Sequence, residues 1–345
     1  MQQRFIEPDL LGDGELGGGQ VSQWKAQGFA FVRGLIPGDL IESLRAAACS
    51  AFPQPGSEAA SRYTDFGSDK RFVFPSTVTV FNEIILHHHL LRAVSMLLDA
   101  SIRDVRLTQA DLWPKYHRGE KVGLRDNSDQ RIHVDYPNHT LVHPTPWHRP
   151  EAVELILYLD DVEQTGGGTA VVAREGDDDP AYPWPIIASP GIGGLDYIND
   201  REMAEAYLAD TRPEFALFRR QLYEREACVR FRPGDVLLYR HDTWHRGTPM
   251  KPGAMRLVAN MTYRKAASEW ISNLHTGWAW SAYRDDKLLE RLIATASLEQ
   301  RAVLGFPQPG SHYWCNETLA AVTARYGMYG FDPEPYRRAM TEAHR

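Results

Sequence analysis

From residue 102 onward the chain is written in short β-like runs divided by turn residues, at 102–113, 152–159, 167–173, 228–232, 235–240 and 255–263. Strands of this length, without regularly interleaved helices, fit a sandwich or jelly roll and do not fit a βαβ array. The rhythm is broken once, at 174–226, by Asp177-Asp178-Asp179-Pro180, a Pro/Gly-rich stretch and then a helical segment from about Asp200 to Ala227. This stretch reads as an insertion within one β domain. The expected fold is therefore mainly β with flanking helices (α+β), built on a double-stranded β-helix or cupin-like jelly-roll core at about 102–265.

Before the core, residues 1–19 are polar and Gly-rich and predict a loose lead-in. A short helix over 20–27, stopped by Gly28, precedes a strand at Phe29–Arg33. Leu40, Ile41, Leu44, Ala47 and Ala48 then form a helical stripe, and a second helix is expected from about Asn82 to Leu98. Residues 20–345 read as a single domain, and the Trp- and Tyr-rich part at 266–345 as a helical, aromatic lid. The hexapeptide Phe52–Ser57 recurs at Phe306–Ser311. With no fixed period it predicts two similar turns and no solenoid.

Composition narrows the functional classes. With 38 Lys+Arg against 45 Asp+Glu the net charge is -7, so no basic field favours nucleic acid or an anionic membrane. No stretch approaches the ~20 apolar residues needed to cross a bilayer, and the first residues carry no signal-like apolar segment. Cys49, Cys228 and Cys315 are far apart, which encodes neither a disulfide framework nor a thiolate zinc site. The expectation is a cytoplasmic protein acting on a small molecule, with no nucleic-acid or membrane partner. No motif bears on its oligomeric state.

The chemistry candidate is His133-Val134-Asp135 with the later His245. Two imidazoles and one carboxylate on one face of an ion leave three octahedral positions open, an arrangement suited to non-haem Fe(II). Composition alone predicts one or two His-x-acid pairs by chance, so the weight lies in the context. His245 ends Phe231-Arg-Pro-Gly-Asp-Val-Leu-Leu-Tyr-Arg-His-Asp-Thr-Trp-His245, a turn feeding an apolar strand. Arg256 then lies inside the apolar strand Met255–Met261, where a guanidinium needs a partner, and a bidentate carboxylate is the natural one.

The ordered set of His133-x-Asp135, Thr165-Gly-Gly-Gly-Thr-Ala-Val-Val172, Pro233-Gly-Asp-Val-Leu-Leu-Tyr239, His245 and Arg256 resembles the phytanoyl-CoA dioxygenase family of Fe(II)/2-oxoglutarate oxygenases. Gln27–Leu35 with its following helix is similar to that family's opening, so the resemblance covers roughly 20–265. It implies a double-stranded β-helix, Fe(II) on the catalytic triad His133, Asp135 and His245, and 2-oxoglutarate with its distal carboxylate on Arg256. It also implies dioxygen as co-reactant and oxidation of a small organic molecule or biosynthetic intermediate, with release of succinate and CO2. Hydroxylation, desaturation and cyclisation share this chemistry, while the retained Asp135 disfavours halogenation.

The chain departs from the family pattern at several points. Many relatives carry a hydroxyl residue two positions after the distal His, where this chain has Gly247, with Thr248 the nearest substitute. Lys115 or Gln109 matches the polar residue that touches the cosubstrate on the strand before the first His. Val172-Ala-Arg174-Glu175 replaces the family's usual segment after the glycines.

Trp244, Tyr136 and Trp147 are the candidate substrate contacts, with Tyr239, Trp270, Trp278 and Trp280 as further aromatics near the motif or beyond it. Arg174, Arg240 and Arg246 are candidates for an anionic group. Of the remaining histidines, His87-His88-His89 predict a solvated helix surface, His139, His143 and His148 a Pro-stiffened loop, and His241 a supporting position. The rival readings are a metal-binding jelly roll acting as a ligand-binding or regulatory module without turnover, and a cupin-type metal enzyme that uses no cosubstrate.

Overall fold

The structure, a computed structural model, describes residues 4–63, 70–74, 76–119, 123–124, 126–268, 285–298, 301 and 306–342. Two sheets face each other. The smaller runs in the order β1 (Phe5–Ile6), β7 (Ala227–Val229), β6 (Thr169–Val171), β9 (His245–Gly247). The larger runs β2 (Asp9–Leu10), β3 (Phe29–Arg33), β8 (Asp235–Tyr239), β5 (Ala152–Tyr158), β10 (Met255–Lys265), β4 (Val105–Tyr116).

The chain passes repeatedly from one sheet to the other. It leaves the large sheet after β4, bridges β9 of the small sheet at His133, and returns as β5. It then runs through β6 and β7, crosses to β8, back to β9, and again to β10. This alternation is a double-stranded β-helix, the jelly-roll core expected from the strand rhythm. β9 is only three residues long and carries no pattern of its own, so no β-like run in the sequence marks it.

Alternate residues of the large sheet face opposite ways. Leu155, Leu157, Leu238, Leu257, Ala259 and Met261 pack outward against Ile41, Leu44, Phe81, Ile84, Val94 and Leu97 of the helices Gly38–Ala51, Thr79–Ile85 and His88–Leu98. Ile156, Tyr158, Leu237, Tyr239 and Val258 face inward, meeting Val171, Val229 and Phe231. The helix expected over Asn82–Leu98 is thus two helices, interrupted at Leu86 and His87. The helical insertion is likewise divided, into Arg201–Thr211 and Pro213–Arg225, because Pro213 supplies no amide hydrogen to continue the first helix.

The lead-in expected to be loose is stitched to both sheets: β1 pairs in parallel with β7 and β2 with β3, and Leu16 is buried. A polar, Gly-rich composition conceals such short edge pairings. At the other end, the helices Leu288–Thr295, Asn316–Tyr326 and Glu334–Glu342 contribute to an apolar cluster that includes Leu141 and Val142. Trp270, Trp278 and Trp280 lie outside the described residues.

The insertion covers the outer face of the small sheet. Ile132, Val134, Tyr136 and Trp244 pack there against Ala181, Ile186, Ile192 and Leu222. Its anchor is Asp179, whose carboxylate accepts from both terminal nitrogens of Arg225 at 2.6 and 2.8 Å and from the amides of Glu175 and Ala181. Burial alone would raise the Asp179 carboxyl, but the Arg225 hydrogen bonds and the amides outweigh it and hold the group at about 2. A native value below the unfolded one stabilises the fold above the unfolded value near 4, and that contribution disappears as pH falls towards 2. Urea melts of wild type should therefore lose about 2 kcal/mol through this group between about pH 5 and pH 2. Asp179→Asn should flatten that part of the acid limb; an unchanged limb would show that the pair does not hold the insertion.

Candidate metal centre

His133 and His245 sit directly opposite each other at the edge of the small sheet. Each donates its amide to the other's carbonyl at 2.9 Å, and their rings lie 4.4 Å apart. One turn of chain after His133, the amides of Asp135 and Tyr136 both donate to the carbonyl of His241, which swings the Asp135 carboxylate in beside the two rings. Its Oδ2 lies 3.2 Å from His245 Nε2 and its Oδ1 3.5 Å from His133 Nε2. Candidate ligand atoms of all three residues fall within 4.8 Å of one another, and among the described residues no other group of three does so.

The histidine tautomers suit a metal. His133 Nδ1 lies 3.1 Å from the carbonyl of Arg131, and His245 Nδ1 lies 3.0 Å from the carbonyl of Thr243. A carbonyl only accepts, so in each neutral ring the hydrogen sits on Nδ1 and the lone pair on Nε2, facing Asp135. Orientation of a ligating imidazole by a backbone carbonyl is the usual support for a metal-binding histidine. Burial, reinforced by the neighbouring His245, pushes His133 down to about 4, so this ring is neutral at physiological pH. Asp135 is held well below the ordinary carboxylate range because the two imidazoles outweigh its desolvation. Tyr239 donates its hydroxyl to Asp135 Oδ2 at 3.0 Å and fixes the carboxylate from inside the barrel.

Beyond the triad, the register of β10 against β4 pairs Arg256 with Lys115. Both are buried, and they bring two cationic side chains to one end of the interior. Arg256 Nη1 donates to the carbonyl of Gly167, while Thr248 donates to the carbonyl of Gly168 at 2.8 Å. The glycine run is therefore a turn on which both residues rest. Gly167 has φ +67°, and a Cβ there would stand 2.1 Å from the Met250 sulfur. A side chain at Gly247 would meet Gln130 Oε1 at 2.6 Å and approach Lys115 Nζ to 3.3 Å. The Gly247 position is thus kept clear for Gln130 and Lys115. The donor set of Lys115 and Arg256 fits a dicarboxylate, just as the triad fits Fe(II).

Of the sequence candidates, His133, Asp135 and His245 converge, and Arg256, Lys115 and Thr248 gather around the glycine turn and Gly247. Gln109 lies on the inner face of β4 but six pairs further along the register, opposite Thr262, where it donates to Asp111 at 3.0 Å. Trp244 and Tyr136 point the other way, beneath the insertion, donating to the carbonyls of Ala181 and Ile186. Adjacent residues on a strand face opposite sides, so Trp244 cannot share the direction of His245. Trp147 donates to the carbonyl of Lys25 and stacks on Arg240, whose guanidinium carbon is 3.8 Å from the ring centre.

The three candidate arginines are committed elsewhere. Arg240 pairs with Asp242, Arg246 with Glu226 and Asp129, and Arg174 with Asp177. His143 is engaged with Pro144 and Ile186, whereas His139 reaches the interior, 3.2 Å from Glu154. His87, His88 and His89 have rings 4.1–5.0 Å apart, but they do not form a metal-like group by the same 4.8 Å measure.

Sequence reasoning placed Tyr239 only among nearby aromatics and did not single out Gln130 or Glu154. Strand alternation from Leu238 and Leu155 would have turned Tyr239 and Glu154 inward. Gln130 lies in an irregular loop and carries no comparable signal.

No protein-family model matches the chain, and no curated protein does. Among solved structures it is similar to AviO1 from Streptomyces viridochromogenes Tue57, at 16% identity over 72% of this chain and 95% of that chain, with a TM-score of 0.45. It is also similar to the non-haem α-ketoglutarate-dependent carbocyclase SnoK from nogalamycin biosynthesis, at 15% identity, covering 76% and 89% of the two chains, TM-score 0.49. A third is HygX from Streptomyces hygroscopicus, solved with nickel and 2-oxoglutarate bound, at 17% identity, covering 73% and 88%, TM-score 0.45. Among the described residues of this chain no helix is long and apolar enough to cross a membrane.

The Tyr239–Asp135 hydrogen bond has a measurable consequence. Loss of such an outer contact typically costs 10–100-fold in metal affinity. Titration of Tyr239→Phe with Fe(II) or Co(II) should show a weakening of about that size, and wild-type affinity would remove Tyr239 from the centre.

Proposed function

We propose that this protein is an Fe(II)/2-oxoglutarate-dependent dioxygenase that oxidises a small organic molecule, most simply by hydroxylation. The observation that carries the reading is the pairing of two features in one barrel. Two imidazole Nε2 atoms and one carboxylate meet at a single point, and two buried cations sit side by side further along the same interior. Fe(II) with 2-oxoglutarate supplies oxidative decarboxylation to succinate and CO2, coupled to oxidation of a C–H bond.

The protein's own part is positional. His133, Asp135 and His245 would hold the ion through two imidazole nitrogens and one carboxylate. Arg256 and Lys115 anchor the distal carboxylate, with Thr248 and the glycine turn bracing the wall around them. Phe231, Tyr158 and Val258 form an apolar lining that excludes water from the interior. A dry interior strengthens the pull of the two cations on a dianion.

The test is succinate release from 2-oxoglutarate by protein reconstituted with Fe(II) under air. Wild type should show slow iron-dependent turnover even without a primary substrate, and His133→Ala should abolish it. Arg256→Ala removes a charged hydrogen-bonding partner and should raise the KM for 2-oxoglutarate about ten-fold or more. No iron-dependent succinate from wild type would instead identify a binding module. Metal-dependent activity indifferent to Arg256→Ala would identify an enzyme that uses no such cosubstrate.

A further inference from the structure

The inner wall of the large sheet changes character along its length. Near Arg256 it is apolar, but towards the far end of β10 it is polar. The register sets Asn260 beside Asp111, and Thr262 between Gln109 on one side and Glu154 on the other, with Glu154 beside Tyr239. These residues alternate with Leu155, Ala259 and Met261, which face the helices, so they share the inward face. Tyr239 connects that face directly to Asp135.

Two atoms on this wall are left over. Glu154 is 96% buried, and its Oε2 accepts from Thr262 Oγ1 at 2.6 Å. Its Oε1 lies 3.2 Å from His139 Nε2 yet makes no hydrogen bond. The amide nitrogen of Asn260 is also inaccessible and without a hydrogen-bond partner. Buried polar atoms are normally paired, and each exception costs about 1–3 kcal/mol. Asn260 and Glu154 are diagonal neighbours on paired strands, about 7 Å apart. A hydrocarbon placed against this wall would leave both atoms unanswered. A hydroxyl group is both donor and acceptor, so one can pair with Glu154 Oε1 in either protonation state and another accept from Asn260 Nδ2.

We infer that Glu154 and Asn260 are specificity-determining residues, and that the substrate of the dioxygenase proposed above is a polyhydroxylated small molecule held through at least two hydroxyls. The inference rests on that reading of the metal centre. Gln109, Asp111 and Thr262 complete the polar wall, and the reacting C–H bond lies close to the hydroxyls that this wall grips.

The test compares a polyol panel, myo-inositol and methyl glucosides, with an apolar panel, octanoate and decanoate. Polyols should stimulate 2-oxoglutarate turnover by the Fe(II)-loaded wild type and should bind the metal-free protein by calorimetry. The alkyl acids should do neither. Glu154→Leu and Asn260→Ala should each raise the half-saturating polyol concentration about ten-fold or more. Glu154→Gln, which keeps the shape and a hydrogen-bonding oxygen, should lose less, and it carries the test with Asn260→Ala if the leucine variant does not fold. Stimulation by alkyl acids equal to or above that by polyols would overturn the inference, as would no polyol response in either assay or variants that respond like wild type. Absence of iron-dependent succinate without any probe overturns the dioxygenase reading instead. Calorimetry on the metal-free protein still judges the wall separately.

Discussion

The reciprocal pair of backbone hydrogen bonds between His133 and His245 is the contact on which the centre depends. It joins two segments more than a hundred residues apart at the edge of the small sheet as an antiparallel bridge and places their side chains on the same face. A one-residue slip in this pairing would turn one imidazole to the other face of the sheet, because side-chain direction alternates with every residue. The surrounding structure reads as support for this register. β6 holds β9 from one side, the insertion packs over the outer face through Trp244 and Tyr136, and the His241 carbonyl pins the start of the helix that follows Asp135.

The interior separates into zones of different polarity. At one end the buried cations Lys115 and Arg256 lie behind an apolar lining. Next comes the triad, in which Tyr239 orients Asp135. Beyond it stands the wall of Glu154, Asn260, Asp111 and Thr262. Burial pushes Asp111 up to about 7, against the pull of its hydrogen bond from Gln109, and raises Glu154 well above the ordinary range with the nearby Asp135 charge adding to the effect. Both shifts favour the uncharged form, which lessens the repulsion between this wall and the Asp135 carboxylate.

Much of the fold was legible because period-two alternation and turn residues are local signals. β4, β5, β8 and β10 fall within three residues of the runs marked by β-like composition, and the glycine turn and the Pro233-Gly234 turn lie where the sequence places them. The triad was legible through a short motif and the order of distant segments. The failures have a common cause. Trp244, Tyr136 and Trp147 sit close to the triad in sequence, but nearness along a strand says nothing about which face a side chain takes. Trp147 is drawn away by Arg240 and the Lys25 carbonyl, partners that no local pattern announces.

By itself the sequence determined the jelly-roll class, the three residues of the triad and the presence of a buried arginine, because these follow from periodicity, turn chemistry and residue type. Only the tertiary structure decided that Lys115 stands beside Arg256, that Gly247 clears space for Gln130, and that Glu154 and Asn260 share a wall with Tyr239. Those relations are set by strand register, and register is fixed by non-local hydrogen bonding between segments that the sequence keeps far apart.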